Sequence, residues 1–265
     1  MSAGVGLIGY DTPFARHMAA RLAARLGNGP HPFVAVLAIR NPKGPPKAHP
    51  FPMLKRLRCV LSREARMRHR VWKEESAADA HFRAETGTPP DWPDECAVRE
   101  VERKAVNAPE TVAWLESLDL RLLTLAGAPI VRPPIIATAE GGVLNVHSSL
   151  LPRYKGTRAE FWQVHNDETH LTGMTVHFVD PGVDSGDIVL QVPQRATPSG
   201  GPWMMRVRNQ IIALEALPEA VQRVLDGTAD RVSQPTIDER PYRAADITPA
   251  AIRKVFARMD GRRVV

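Results

Sequence analysis

Apolar residues fall along this chain in short runs separated by amphipathic stretches, and that rhythm predicts alternating strands and helices. Residues 5–8 and 33–39 are apolar runs of strand length bounded by polar or turn residues, and 120–125 is a largely apolar one. Residues 97–101, 143–146 and 174–179 give three shorter or mixed strands. Phe14, Met18, Leu22 and Leu26 recur every fourth residue ahead of Gly27, which predicts a helix over 14–26 with a glycine stop. Residues 54–84 read as helix in one or two pieces, and 109–118 as a helix capped near Asn107. The stretch 203–225 places Val207, Ile211, Leu214 and Leu217 at helical spacing, with Pro218 expected to kink or break it. A last helix over 249–259 starts from Thr248 as cap with Pro249 in the first turn. The Pro- and Gly-rich stretches 41–52 and 87–93 read as loops, as do the turns at 9–13 and 198–202.

This alternation defines an α/β fold, a mostly parallel twisted sheet with helices on both faces. Ligands in such sheets bind beyond the carboxyl ends of the strands. The turns at 9–12, 127–131, 147–149 and 180–184 each follow a predicted strand and are expected to gather at one edge. The expected organisation is a domain over 1–192 carrying a basic helical insertion at about 45–93, followed by a helical and irregular extension over 193–265.

The candidate chemistry lies between Asn145 and Asp187, in NVHSSLLPRYKG and GMTVHFVDPGVDSGD. Asn145 and His147 are two apart on an extended segment and so share a face. The loop after the next strand carries Asp180, Asp184 and Asp187, any of which can bring a carboxylate to the same place. An amide donor, an imidazole and a carboxylate suit acyl transfer, in which an oxyanion is stabilised and a proton moved. His177 lies on a strand and reads as a packed core histidine. The glycines of Gly4-Val5-Gly6-Leu7-Ile8-Gly9 surround the first strand instead of following it, so the dinucleotide pattern they match does not apply. The aspartate loop lacks the twelfth-position glutamate of a calcium loop, and no metal is expected.

The segment with these residues resembles the folate-dependent formyltransferases, the family that includes glycinamide ribonucleotide, methionyl-tRNA and sugar-nucleotide formyltransferases. The resemblance is carried by NxH…LLPRYxG…TVHxxDxGxDxGD, is closest over 145–191, and extends weakly to 122–134 and the first strand. It implies transfer of a formyl group from 10-formyltetrahydrofolate to a primary amine, with Asn145, His147 and Asp184 as catalytic residues. It also implies a folate-binding segment at 127–134. Ala128, Ile130 and Val131 are its expected contacts, joined by Asp180 and Val183, while Pro129 stands where many relatives carry Arg. Asp180 begins its loop and reads first as the residue that orders it. On the acceptor side the expected residues are Gly9 and Thr12, in a turn able to hold a phosphate, with Arg158 and Glu160. The alternatives at these positions are a plain tight turn and a surface ion pair at a helix start.

Composition narrows the partners. The chain of 265 residues has 43% hydrophobic residues and a formal net charge of +6, with no apolar run of membrane-spanning length and no signal-peptide pattern. Its two cysteines, Cys59 and Cys96, have no metal-ligand spacing. A cytoplasmic protein is expected. Lys55, Arg56, Arg58, Arg63, Arg66, Arg68, Arg70 and Lys73 against Glu64 make 54–73 strongly basic, either a solvated helix face or an anion-attracting one. Nucleic acid is disfavoured as a partner, because the tail lacks the alternating strands of the barrel with which methionyl-tRNA enzymes hold tRNA. The expected acceptor is a small amine, on an amino-sugar nucleotide or of amino-acid type. Glycinamide ribonucleotide or methionyl-tRNA formylation and 10-formyltetrahydrofolate hydrolysis are the alternatives, and a homodimer is left open.

Overall fold

The computed structural model describes residues 3–40 and 63–262. Seven strands form one sheet in the order β3-β2-β1-β4-β5-β6-β7. They are β1 (Gly4–Tyr10), β2 (Phe33–Ile39), β3 (Ala97–Val101), β4 (Leu120–Ala126), β5 (Val143–His147), β6 (Gly173–Phe178) and β7 (Ile188–Pro193). The first five run parallel, β6 is antiparallel to β5, and β7 is antiparallel to β6. Seven α-helices accompany them among the described residues: α1 (Pro13–Leu26), α2 (Arg63–Thr86), α3 (Pro109–Glu116), α4 (Pro133–Ile136), α5 (Ala159–Asn166), α6 (Gly201–Leu225) and α7 (Pro249–Met259). No helix among the described residues is long and apolar enough to cross a membrane.

The period-two alternation of the strands sorts the core into two layers. Leu144, Met174 and Val176 point to the face covered by α1, α2 and α6, where Met18, Leu22, Phe82, Leu214 and Val221 are buried with them. Ile8, Leu123, Leu125 and Val143 point the other way, toward Leu115 of α3 and Ile135 of α4. Helix α6 belongs to the first layer, with Leu217 and Val221 fully buried. Each such side chain contributes about 1.5–3 kcal/mol by leaving water. Pro218 lies inside α6 and does not end it. The proline costs one backbone bond but is itself buried among the helix's apolar residues.

Four local expectations change. β1 runs through Gly9 to Tyr10, so Gly9 is a buried strand residue and not part of a turn; a side chain there would meet the Ala126 carbonyl oxygen at 2.7 Å. β7 and the short α4 add elements that the sequence pattern did not mark. β7 buries only Val189, leaves its other residues partly or fully exposed and ends in proline, as suits a sheet edge. Asn107 does not cap α3, whose N-cap is Ala108; its side chain instead donates to the Ile130 carbonyl (3.0 Å) and accepts from the Arg132 N–H (2.7 Å). Finally, an antiparallel β6 leaves Phe178 level with Leu144, so the aspartate loop departs from the opposite end of the sheet to the turn after β5. It must fold back along the sheet to reach His147.

The basic stretch divides at the described boundary. Residues 54–62 lie outside the described residues. In α2, Arg70 pairs with Asp260 (2.7 Å) and lies over the Phe256 ring at 4.1 Å, tying α2 to α7.

Candidate active site

Asn145 and His147 occupy alternate positions of β5 and share the face opposite Leu144 and Val146. His177 lies directly across from Asn145 on β6, on the same face. The 179–187 loop returns over them. Its start is ordered by Asp180, which accepts from the Gly182 N–H (3.0 Å) and the Ser185 hydroxyl (2.7 Å). Asp184 then adopts a left-handed backbone, φ 48°.

The Asp184 carboxylate is the hub. One oxygen accepts from the Gly156 N–H at 2.7 Å and lies 3.5 Å from His147 Nδ1. The other lies 3.6 Å from His177 Nε2 and 3.5 Å from Asn145 Nδ2. Burial pushes the carboxyl pKa up, but the two imidazoles and the Gly156 N–H outweigh it and hold Asp184 well below the usual carboxylate range. It is therefore a fixed anion at any working pH.

Each histidine is anchored by its far nitrogen. His147 Nε2 lies 2.9 Å from the Tyr154 carbonyl oxygen, and His177 Nδ1 lies 2.7 Å from the Phe178 carbonyl oxygen. A carbonyl only accepts, so those nitrogens carry the hydrogens. In the neutral rings, His147 Nδ1 and His177 Nε2 are then lone pairs turned toward the carboxylate. The Asn145 amide donates into the His177 lone pair at 3.2 Å, which fixes its NH2 group on this side. Its second hydrogen has only the long 3.5 Å contact with Asp184.

The turn after β5 is held rigidly. Thr175 donates to the Ser149 carbonyl (2.6 Å) and accepts from the Leu151 N–H (3.1 Å). Gln191 of β7 donates to the Leu151 carbonyl (3.0 Å), and the Leu151–Pro152 peptide is cis. The buried Tyr154 hydroxyl bonds to Glu168; burial and that carboxylate drive its pKa upward, so it stays a neutral donor.

Of the other expected residues, Ile130, Arg158 and Glu160 line two clefts. Ile130 (74% exposed) lines an open cleft of about 430 Å³ with Arg103, Lys104, Asn107 and Arg132. Val131 is buried in the second core layer, where partly buried Ala128 packs beside it, and Val183 is exposed. Arg158 and Glu160 line a cavity of about 280 Å³ between α2, α5, α6 and α7. Glu160 is not half of a surface ion pair: it is buried, and its Oε1 has no partner. Neither cavity is walled by Asn145, His147 or Asp184. Thr12 caps α1, its hydroxyl accepting from the Ala15 N–H (3.3 Å), and Gly9 is enclosed by β2 and β4.

The structure thus joins Asn145, His147 and Asp184 and adds His177, which is buried as its strand position suggests but turns Nε2 into the site. The signal was in β6 itself: Met174, Val176 and Phe178 take one face, leaving Thr175 and His177 on the other, the face that Asn145 shares.

Residues 56–221 match the model of the formyl transferase family, more than half of the chain, and the protein belongs to that family. A methionyl-tRNA formyltransferase of Geobacter metallireducens is 30% identical over 135 residues, 51% of this chain and 43% of its own length. The chain thus spans under half of that relative. Among solved structures, glycinamide ribonucleotide transformylase 1 from Symbiobacterium toebii has a TM-score of 0.54 at 21% identity, covering 85% of this chain and 88% of the other. An N-formyltransferase from Helicobacter canadensis, in complex with folinic acid and dTDP-3-aminofucose, has a TM-score of 0.57 at 14% identity, covering 97% and 80%.

Proposed function

We propose that the protein transfers a formyl group from 10-formyltetrahydrofolate to a primary amine of a small acceptor, an amino-sugar nucleotide or an amino-acid-type amine. The observation that carries this reading is the Asp184 anion set between two backbone-anchored imidazoles beside an amide with an under-used hydrogen. Asn145 aims that hydrogen at the oxygen that gains charge when the amine attacks the formyl carbon; one such donor lowers a barrier by about 3–4 kcal/mol. His147 Nδ1 takes the proton the amine sheds, Asp184 stabilises the imidazolium so formed, and the proton returns to the folate nitrogen as its bond to the formyl carbon breaks and tetrahydrofolate leaves. His177 orients Asn145 by accepting from its amide. Gly156 fixes the carboxylate.

The folate supplies the activated one-carbon group. The cleft beside Ile130 fits its shape: an exposed large apolar side chain on a segment pinned by Asn107, rimmed by Arg103, Lys104 and Arg132, suits a flat ring system with an anionic tail. Ala128, Val131, Asp180 and Val183 are the further folate contacts in this proposal. Arg158 and the buried Glu160 supply the acceptor end, with Thr12 at the head of α1 for a phosphate. Gly9 serves by its close fit against Ala126, without contacting the acceptor.

The test is incubation of the purified protein with 10-formyltetrahydrofolate and, separately, dTDP-3-aminofucose, glycinamide ribonucleotide, methionyl-tRNA, lysine and ornithine, with products read by mass spectrometry. A formylated small amine is the expected result. Formylated methionyl-tRNA would move the acceptor to the class of the Geobacter relative, and formate release at the same rate without amine would make the protein a hydrolase.

A further inference from the structure

We propose that residues 232–242, downstream of α6, form a strap that positions Asp184. The inference rests on the reading of Asp184 as the catalytic carboxylate. It assigns to the C-terminal segment a role that neither the family match over 56–221 nor its own sequence indicates.

The strap grips the site from both sides. On the loop side, Val232 and Ile188 exchange a pair of backbone hydrogen bonds (2.8 and 2.9 Å), continuing the sheet edge just beyond the aspartate loop. The Ser233 hydroxyl donates to Asp187 at 2.9 Å. The Gln234 amide then donates to two loop carbonyls at once, that of Asp184 (3.1 Å) and that of Gly186 (2.7 Å). Two carbonyls can only accept, so the NH2 end of Gln234 must face them. Asp184 is a non-glycine residue at φ 48°, a conformation that costs roughly 1 kcal/mol or more and persists only where its surroundings fix it. Gln234 fixes the carbonyl of that very residue.

On the other side, Tyr242 clamps the loop that supplies the Gly156 N–H. Its N–H donates to the Lys155 carbonyl (2.9 Å), and its carbonyl accepts from the Thr157 N–H (2.9 Å). The approach is so close that a Cβ on Gly156 would lie 2.2 Å from the Tyr242 oxygen, which together with φ 94° restricts that position to glycine. The Tyr242 ring is stacked between Tyr154 and Trp162, at centroid distances of 5.7 and 4.7 Å. One short segment thus holds both the backbone of Asp184 and the N–H that bonds its carboxylate. Gln234 touches no reacting atom and is a positioning residue.

The test uses the full chain with Gln234→Met, which keeps the volume and removes both donors. Hydrogen–deuterium exchange of peptides covering 180–187 is expected to speed up about tenfold or more, with exchange in β1, β2 and β4 unchanged. With the amine that turns over in the panel above, kcat is expected to fall about 10- to 100-fold, while the KM for 10-formyltetrahydrofolate stays within about twofold. Unchanged exchange in 180–187, or unchanged kcat where Asp184→Asn abolishes turnover, would overturn the proposal. If wild-type protein formylates none of the amines, the functional reading fails, and the exchange measurement alone decides whether the strap holds the loop. Should Gln234→Met not fold, Gln234→Asn shortens the reach by one methylene and is expected to act in the same direction.

Discussion

The hub around Asp184 and the cavity beside Glu160 both hold buried polar groups and are built partly from the segment after β5, yet they are finished differently. Every polar group facing Asp184 is tied to something: His147 and His177 to carbonyls, Asn145 to His177, Gly156 to the carboxylate itself. In the cavity, Glu160 Oε1 and Arg206 Nε are buried without partners. Unpaired buried polar groups cost about 1–3 kcal/mol each, and these two line a cavity in which a ligand could complete them. The difference separates two tasks. Under the proposed function, the hub is preorganised for chemistry that is the same for any acceptor, and the cavity is left open for a particular one.

The comparison breaks most visibly if the two regions respond alike to substitution. Asp184→Asn keeps the shape but removes the anion, and is expected to lower kcat about 100- to 10,000-fold with little change in the acceptor's KM. Asn145→Ala is expected to cost about 100- to 1000-fold in kcat. Glu160→Gln is expected to act through the acceptor instead: its KM rises about 10- to 100-fold while kcat changes by less than about threefold. Initial-rate kinetics with both substrates varied separates these patterns. Ile130→Ser is expected to raise the KM for 10-formyltetrahydrofolate about tenfold and leave the acceptor's KM alone.

The smallest effect is on stability. Asp184 has its pKa depressed in the folded state, so its contribution is fully present above the unfolded value of about 3.9 and is lost as pH falls through the lower folded value. Denaturation midpoints of wild type and Asp184→Asn are therefore expected to approach each other as pH falls below about 4. A difference that grows below about pH 4 would have the wrong sign.

The sequence carried the parts of this design that are local. Two apolar strands flanking Asn145 and His147 announce their shared face, and the Phe14-to-Leu26 spacing announces α1. What it did not carry depends on partners far along the chain. The direction of β6 depends on pairing with β5, and it decides that the aspartate loop folds back over the sheet. Asn107 looked like a cap because asparagine before a helix usually is one; its bonds to Ile130 and Arg132 outweigh that local preference. Glu160 at the start of a helix resembled a surface residue, but packing of α5 against α6 and α7 buries it. Gln234 lies 50 residues from Asp184 in a stretch with no periodicity at all.

The most direct measurement of the central claim follows the carbon itself. Wild-type protein and Asp184→Asn are each given 10-formyltetrahydrofolate labelled with carbon-13 in the formyl group, together with the amine that turns over, and the label is followed by NMR through a single turnover. The account predicts that the label moves to the amine nitrogen in wild type and stays on the folate in the variant. Label appearing on the amine at the same rate in both proteins would contradict it.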